Sequence, residues 1–191
     1  MAHKVEIFGM EIKYDTDYRN IKYPRLEFKT GELLLVLPQG FKDHSGVLEK
    51  HKSWIYKKNS QIINAFRESK NKKLNTQRTE QEFKTVVKEY AHKYLKELDL
   101  NVNSVQIKRM NSKWGSCSSR KNIIVNSNLR YLPTELIDYV VYHEIAHLGE
   151  RKHNEKFWKI VSKKFKDYQN KEKELFVYWF LTKKLIKKYD V

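Results

Sequence analysis

Cysteine is almost absent from this sequence, since Cys117 is the only one in 191 residues. An internal disulfide is excluded, and the composition agrees with a reducing compartment, so we expect a cytoplasmic protein. Long apolar runs are absent as well, because the longest, Leu175 to Leu181, is too short to span a bilayer. Residues 1–6 lack the apolar core of a signal peptide. We therefore expect a soluble protein without a membrane partner.

Acidic residues are scarce relative to basic ones. The 39 Lys and Arg residues outnumber the 23 Asp and Glu residues, which gives a formal net charge of +16. This charge attracts polyanions, so nucleic acid, a nucleic-acid-associated protein and an acidic substrate are partners to consider. Lysines spread over solvated helix faces give the same composition, and we prefer that interpretation.

The first part of the chain predicts a β-rich piece followed by one long helix. Apolar and polar residues alternate between residues 5 and 14, and apolar runs flank Thr30-Gly31 as in a hairpin. From Ser45 to Phe66 the apolar residues follow helical spacing. The weakly apolar stretch 69–78 then suggests a boundary. We expect an N-terminal hairpin and long-helix subdomain over residues 1–74 and a metal-binding domain over residues 75–191.

The second part mixes helices with short strands, which predicts an α+β fold class. The expected elements are a helix that starts at the capping box Thr79–Glu82, strands at Val105–Ile107 and Ile123–Val125, a helix from Pro133-Thr134 to Gly149, a helix capped by Asn154, and a packing helix from about Lys171.

The segment His143-Glu144-Ile145-Ala146-His147 has the H-E-x-x-H spacing of metal-dependent hydrolases. On a helix, His143 and His147 lie on one face about 40° apart, so both imidazoles can bind one ion. Glu144 lies beside them and, through a bound water, can act as general base. Two core histidines without a metal are the alternative, and the combined pattern favours the metal site.

A catalytic zinc site commonly has three protein ligands. His153 follows at a ligand-compatible spacing, and a turn at Gly149 would bring it back toward the histidine pair. We therefore predict a Zn²⁺ site formed by His143, His147 and His153, with a solvated surface histidine as the alternative for His153. Three acidic residues are rival third ligands: Glu150, Glu172 and Glu174.

The spacing of the histidines also matches the metzincin motif H-E-x-x-H-x-x-G-x-x-H. Gly149, however, comes one position early, and all three methionines precede the helix, so none can form the downstream Met-turn of that family. We reject the metzincin assignment.

Several segments combine with this motif into a wider pattern: Trp114-Gly115-Ser116-Cys117, Ile123 to Asn126, Pro133, residues 137–147, and His153 with Phe157-Trp158. The pattern resembles the YgjP-like metallopeptidase family, which is related to the WLM and SprT-like zinc proteases. The resemblance covers residues 110–165. Lys113 departs from the arginine usual before this tryptophan, and residues 149–152 differ from the usual turn.

The resemblance implies a zincin-like catalytic core, with a short mixed sheet, the HExxH helix and packing helices. It also implies zinc held by His143, His147 and His153, with Glu144 as the catalytic acid and base. In zincin-like peptidases a strand beside the active-site helix offers its edge to an extended peptide. We assign that role to Ile123 to Asn126, with an ordinary buried strand as the alternative.

Three residues of the Trp114 to Cys117 segment have simpler interpretations. We expect Trp114 to be a packing anchor rather than a surface that stacks on substrate. Gly115 is interpreted as a backbone-turn residue. Cys117 is interpreted as an inert thiol near the core, although approach to the metal is the alternative.

Three functions remain as hypotheses. The leading one is a zinc-dependent metallopeptidase that acts on a protein or peptide substrate. The second uses the same site in a metal-dependent nucleoside triphosphate phosphohydrolase, an activity also attributed to YgjP-like proteins, although no P-loop motif is present. The third is a nucleic-acid-binding module with structural zinc, based on the basic charge and on aromatic residues between lysines in residues 50–58.

Overall fold

A computed structural model describes residues 3–29 and 31–189 of the chain. Within these residues the chain forms two compact units, which meet in sequence between Asn71 and Lys72. Both units contain helices and strands, so the α+β fold class is confirmed. The boundary proposed after residue 74 stays a prediction about domains. Among the described residues, no helix combines the length and the apolar content needed to cross a membrane.

The first unit is a four-stranded sheet with two helices. Its elements are β1 (His3–Ile7), β2 (Met10–Arg19), β3 (Arg25–Lys29), β4 (Glu32–Pro38), α1 (His44–Lys50) and α2 (Lys52–Ser69). The strand order is β1-β2-β4-β3, with β2 and β4 parallel and the other pairs antiparallel. Leu26 pairs with Leu35, which confirms the predicted hairpin, whereas its turn residue Thr30 lies outside the described residues.

The prediction of one long helix after Ser45 is wrong. The φ of −112° and ψ of 11° at His51 lie outside the helical range, so the helix ends there and a second one begins. Sequence periodicity does not detect this break, because Leu48 and Ile55 are two helical turns apart and both are buried in the core of this unit.

The second unit combines a three-stranded sheet with four helices. Its elements are α3 (Glu80–Glu97), β5 (Ser104–Lys108), β6 (Gly115–Cys117), β7 (Asn122–Asn126), a short 3-10 helix (Ser127–Tyr131), α4 (Thr134–Gly149), α5 (Glu155–Lys164) and α6 (Tyr168–Tyr189). The strand order is β5-β7-β6, and β7 runs parallel to β5 and antiparallel to β6. The short mixed sheet expected for this part of the chain is therefore present.

Local sequence signals fix the helix ends of this unit. Thr79 and Glu82 form the predicted capping box at the start of α3. Asn154 caps α5 by accepting a hydrogen bond from the Phe157 backbone N–H at 3.1 Å. Helix α4 starts directly after Pro133, as predicted.

Helix α4 is the centre of the core of the second unit. Nine of its sixteen residues are buried, on more than one side of the helix. Tyr142 packs edge-to-face on Tyr94 of α3 with ring centroids 4.8 Å apart. Full burial of one large apolar side chain contributes about 1.5 to 3 kcal/mol, so this packing holds the helix and its histidines firmly in place.

Candidate metal centre

The structure brings the three predicted histidines together. His143 and His147 lie one turn apart on α4, and the loop after Gly149 carries His153 back to them. The ring centroids are 5.1 Å apart for His143 and His147, 5.0 Å for His143 and His153, and 4.6 Å for His147 and His153. Each ring offers one nitrogen as a ligand atom, and these three nitrogens lie within 4.8 Å of one another.

This donor set fits a zinc ion. Zinc–nitrogen bonds of about 2.0 to 2.1 Å in a tetrahedral site separate two ligand nitrogens by about 3.3 Å. The Nε2 atoms of His143 and His153 are 2.9 Å apart, and the largest separation among the three donors stays below 4.8 Å. The three side chains can therefore bind one ion after small adjustments.

Burial favours the neutral, metal-binding form of two of the three candidate ligands, His147 and His153. Burial lowers the pKa of His147 to about 4. Burial, together with the charge of His143, also lowers the pKa of His153. Since a metal ion competes with protons for imidazole, these shifts favour metal binding at neutral pH.

Polar contacts behind the ligands orient two of the rings. The Nδ1 of His147 lies 3.1 Å from the carbonyl oxygen of Glu150 and can donate to it, which leaves Nε2 free for the ion. The Nδ1 of His143 lies 3.5 Å from Oε1 of Glu172, and the Tyr139 hydroxyl donates to the same oxygen at 2.6 Å. Such outer contacts fix the ring orientation and the tautomer of metal ligands.

Aromatic packing supports the same rings from the apolar side. The fully buried ring of Phe157 lies 4.9 Å from His143, 4.4 Å from His147 and 4.7 Å from His153, between ring centroids. Trp158 stacks on His153 at 5.6 Å. The start of α5 thus forms the apolar support of the cluster.

The rival third ligands have other contacts. Glu172 lies behind His143. Burial raises the pKa of its carboxyl group, but the hydrogen bonds from His143 and Tyr139 together lower it by more, so the pKa of Glu172 is below its usual value. Glu174 pairs with Lys72. Among the described residues, the only group of three or more potential metal ligands is the histidine triad.

Glu144 faces the same cavity as the histidines but has a different environment. Its side chain is buried, and no hydrogen bond to its carboxylate is found among the described residues. Burial raises the pKa of Glu144 to about 7, although the charges of His143 and Lys113 act in the opposite direction. A carboxyl group with a pKa near neutrality can both accept and donate a proton at physiological pH.

The interpretation of Gly115 as a turn residue is wrong. Gly115 is a buried residue of strand β6 and does not have a positive φ. A Cβ atom at this position would lie 2.6 Å from both Cγ and Oε1 of Glu144. Glycine is therefore needed here because the Glu144 carboxylate occupies the space of a side chain.

The assignment of Ile123 to Asn126 as the substrate-binding edge is also wrong. These residues form β7, which is the central strand and is paired on both sides. The edge strand that lines the cavity is β6, which a length of three residues made hard to predict. The backbone groups of Trp114 and Ser118 form hydrogen bonds with β7, through Asn126 N and Asn122 O. Because backbone groups in a strand point to alternate sides, those of Gly115 and Cys117 point away from β7, toward the open edge of the sheet.

The remaining residues of this segment have packing roles. Trp114 donates from Nε1 to the carbonyl oxygen of Leu175 at 3.2 Å and packs edge-to-face on Trp179 at 5.0 Å. Cys117 lines the cavity. Burial raises the pKa of its thiol, and the negative charge of Glu144 raises it by a smaller amount. The neutral thiol is a poor metal ligand and nucleophile.

A cavity of about 470 Å³ contains the triad and Glu144. Residues 113–117 and Arg151 also line it. Sequence reasoning did not assign Tyr139, Phe157 or Arg151 to the site. Tyr139 had a usable signal, since it lies one turn before His143 on the same helix face.

Comparison with protein families decides the relationship of the chain. Residues 67–177 match the YgjP-like family, metallopeptidase domain. The chain belongs to the YgjP-like family. The predicted resemblance is therefore confirmed, and the matched segment spans helix α4 and the whole histidine cluster.

Two solved structures of metallopeptidase zymogens are also similar to the chain. Jannalysin from Methanocaldococcus jannaschii is 26% identical, with a TM-score of 0.41, over 54% of this chain and 96% of that protein. Abylysin from Pyrococcus abyssi is 25% identical, with a TM-score of 0.41, over 46% of this chain and 88% of that protein. A search of curated protein sequences found no match.

Membership in the YgjP-like family gives the general class of activity. The matched domain is a metallopeptidase domain, so the chain is a metal-dependent hydrolase of the peptidase class. A metal ion and a protein or peptide substrate follow from this class.

Proposed function

We propose that the protein is a zinc-dependent peptidase. His143, His147 and His153 hold the ion, and Glu144 is the general base. The observation that carries this proposal is the convergence of three imidazoles and one poorly solvated carboxylate in a single cavity. Zinc, when bound, supplies a Lewis acid and lowers the pKa of a coordinated water.

The protein residues perform the remaining tasks. Glu144 accepts a proton from the attacking water and later donates a proton to the leaving amine. Burial raises its pKa to about 7 in the metal-free site, so that neither protonation state is strongly favoured there near pH 7. Glu172 and Tyr139 hold the His143 ring in one orientation.

Strand β6 binds the substrate in this proposal. An extended peptide can pair with the outward backbone groups of Gly115 and Cys117 and so lie along the cavity. Because Gly115 contacts Glu144, the scissile bond of a paired peptide is close to the general base. Water can be excluded when the peptide covers the cavity.

Metal analysis combined with a cleavage assay tests the proposal. The zinc-loaded full-length protein is incubated with an unfolded protein substrate, and Glu144→Gln and His153→Ala are compared with wild type. We expect Glu144→Gln to keep zinc and to lose activity by about a hundredfold or more. We expect His153→Ala to lose zinc.

Two matched controls make the result specific. Glu135→Gln removes an exposed carboxylate from the same helix, and His92→Ala removes an exposed histidine from α3. Both variants should retain zinc and activity. Full activity in Glu144→Gln would exclude the proposed base, and unchanged zinc binding in His153→Ala would exclude the third ligand.

A further inference from the structure

Two basic side chains line the cavity without an acidic partner. Lys113 and Arg151 are both exposed and belong to the same cavity as the histidines. Neither side chain has a salt bridge or a hydrogen bond to any residue that the structure describes. Arg130, in contrast, pairs with Glu80 at 2.7 Å.

The two cations act at opposite ends of strand β6. Lys113 precedes this strand, and its charge acts on Glu144. Arg151 lies in the loop between α4 and α5. Its positive charge interacts with Cys117, the last residue of the strand. A peptide that pairs with β6 therefore passes one cation on each side of the cavity.

The acidic residues of the cavity do not neutralise these cations. Glu172 is engaged by Tyr139 and His143. Glu144 is buried in the same cavity, and no salt bridge joins it to Lys113 among the described residues. The wall of the cavity thus presents positive charge that is available to a substrate.

We propose that Lys113 and Arg151 select peptides with acidic side chains on both sides of the scissile bond. This inference rests on the proposed peptidase function. Lysine offers a mobile point charge, whereas arginine can bind a carboxylate through two parallel hydrogen bonds. Both would orient the acidic side chains and would steer an acidic segment into the cavity.

Matched peptides test the inference with the zinc-loaded full-length protein. Quenched fluorescent peptides carry Glu, Gln or Lys at each position within three residues of the scissile bond and are otherwise identical. We expect kcat/KM to be about tenfold higher for Glu than for Gln at the preferred positions, with a smaller ratio at high salt. Equal values for Glu and Gln peptides would overturn the proposal.

Charge variants assign the effect to each side chain. Lys113→Gln and Arg151→Gln should each bring the Glu/Gln ratio toward one at a single position on one side of the bond. Lys113→Glu should reverse the preference, so that Lys is favoured there, which a merely structural role would not produce. The matched control Lys159→Gln removes an exposed lysine outside the cavity and should leave the ratio unchanged.

A binding assay separates this inference from the peptidase proposal. Labelled Glu and Gln peptides are titrated against zinc-loaded Glu144→Gln and followed by fluorescence anisotropy. Tighter binding of the Glu peptide supports the anion-binding role even if wild type cleaves no peptide, in which case the peptidase proposal alone fails. Equal binding of both peptides overturns the proposed selection of acidic peptides. Wild-type hydrolysis of nucleoside triphosphates without any preference for acidic peptides overturns it as well.

Discussion

Glu144 and Glu172 line one cavity, yet their surroundings differ in almost every respect. Glu144 faces β6, is buried, and lacks a hydrogen-bond partner among the described residues, so its pKa is raised to about 7. Glu172 on α6 accepts from Tyr139 and pairs with His143, and its pKa is lowered. Two carboxylates with opposite shifts have different chemical roles.

In the proposed mechanism this difference separates proton transfer, by Glu144, from metal binding, which Glu172 supports through His143. The β6 side of the cavity controls the position and protonation of Glu144 through steric contact and burial. The α6 side controls the orientation of His143 through polar contacts. Variants on the β6 side should therefore change catalysis at constant metal content, and variants on the α6 side should change metal affinity first.

Among variants of the residues that surround the two carboxylates, the largest effect is expected for Gly115→Ala. The new methyl group would lie 2.6 Å from Glu144, so the carboxylate must move. A displacement of about 1 Å at a catalytic group can reduce the rate about a hundredfold. We expect kcat to fall by about this factor while the zinc content measured by metal analysis stays at one ion per chain.

Gly149→Ala is the matched control for this prediction. A Cβ at Gly149 would lie 3.7 Å from Ile160, which is an ordinary contact distance. This variant should keep its activity. Loss of zinc in Gly115→Ala, or an unchanged kcat, would show that β6 does not position the base.

The two sides of the cavity also differed in how well the sequence predicted them. His143 and His147 follow from helical periodicity, because spacing within one helix is a local property. The sequence predicted Glu172 only as a rival ligand. Its actual place behind His143 depends on how α6 packs, and local spacing does not contain that information. Gly115 was misinterpreted because the reason for glycine is a contact with Glu144 rather than a backbone angle.

The fold shows the same limit. Capping residues predicted the starts of α3 and α5, because the interactions involved are only three residues apart. Strand β6 was not predicted, since three residues are too few for an alternating pattern. The order of the strands, which decides that β6 rather than β7 is the open edge, depends on contacts that no local pattern contains.

Glu144→Gln should stabilise the metal-free protein at high pH. The folded-state pKa of Glu144 is raised from 4.5 to about 7, so its contribution to stability is present below pH 4.5 and is lost as the pH rises through 7. Glutamine stays neutral at every pH. We expect the variant to gain about 2 to 3 kcal/mol in the free energy of unfolding at pH 8, and little at pH 4.5.

Denaturant unfolding of both metal-free proteins at several pH values measures this gain. Other titrating groups, including His147, are present in both proteins and cancel in the difference. Glu135→Gln, at an exposed site on the same helix, should show no such pH dependence. A constant difference between wild type and Glu144→Gln across the pH range would contradict the raised pKa.

On the α6 side, Glu172→Gln should weaken zinc binding. Loss of the carboxylate behind a ligand histidine typically reduces metal affinity by about 10 to 100-fold. Competition with a chelator measures the zinc Kd, and excess zinc should restore most of the activity. Glu174→Gln, which changes a neighbouring carboxylate that pairs with Lys72, should bind zinc like wild type.

The smallest effect is expected for Tyr139→Phe, which removes the hydroxyl that donates to Glu172 at 2.6 Å. One such hydrogen bond contributes about 1 kcal/mol, so we expect a reduction of about fivefold in zinc affinity. Tyr94→Phe is the matched control, because Tyr94 also donates to a carboxylate of α4, that of Asp138, but away from the cavity. It should leave zinc affinity unchanged.

The double variant Tyr139→Phe/Glu172→Gln tests whether Tyr139 acts through Glu172. If it does, removal of the hydroxyl costs less zinc affinity once the carboxylate is gone, and the double variant resembles Glu172→Gln alone. Additive losses would mean that the Tyr139 hydroxyl acts independently of Glu172, because phenylalanine keeps the edge-to-face contact with the His143 ring, whose centroid is 5.9 Å away. His143 would then be supported by two side chains that act separately rather than by one hydrogen-bonded pair.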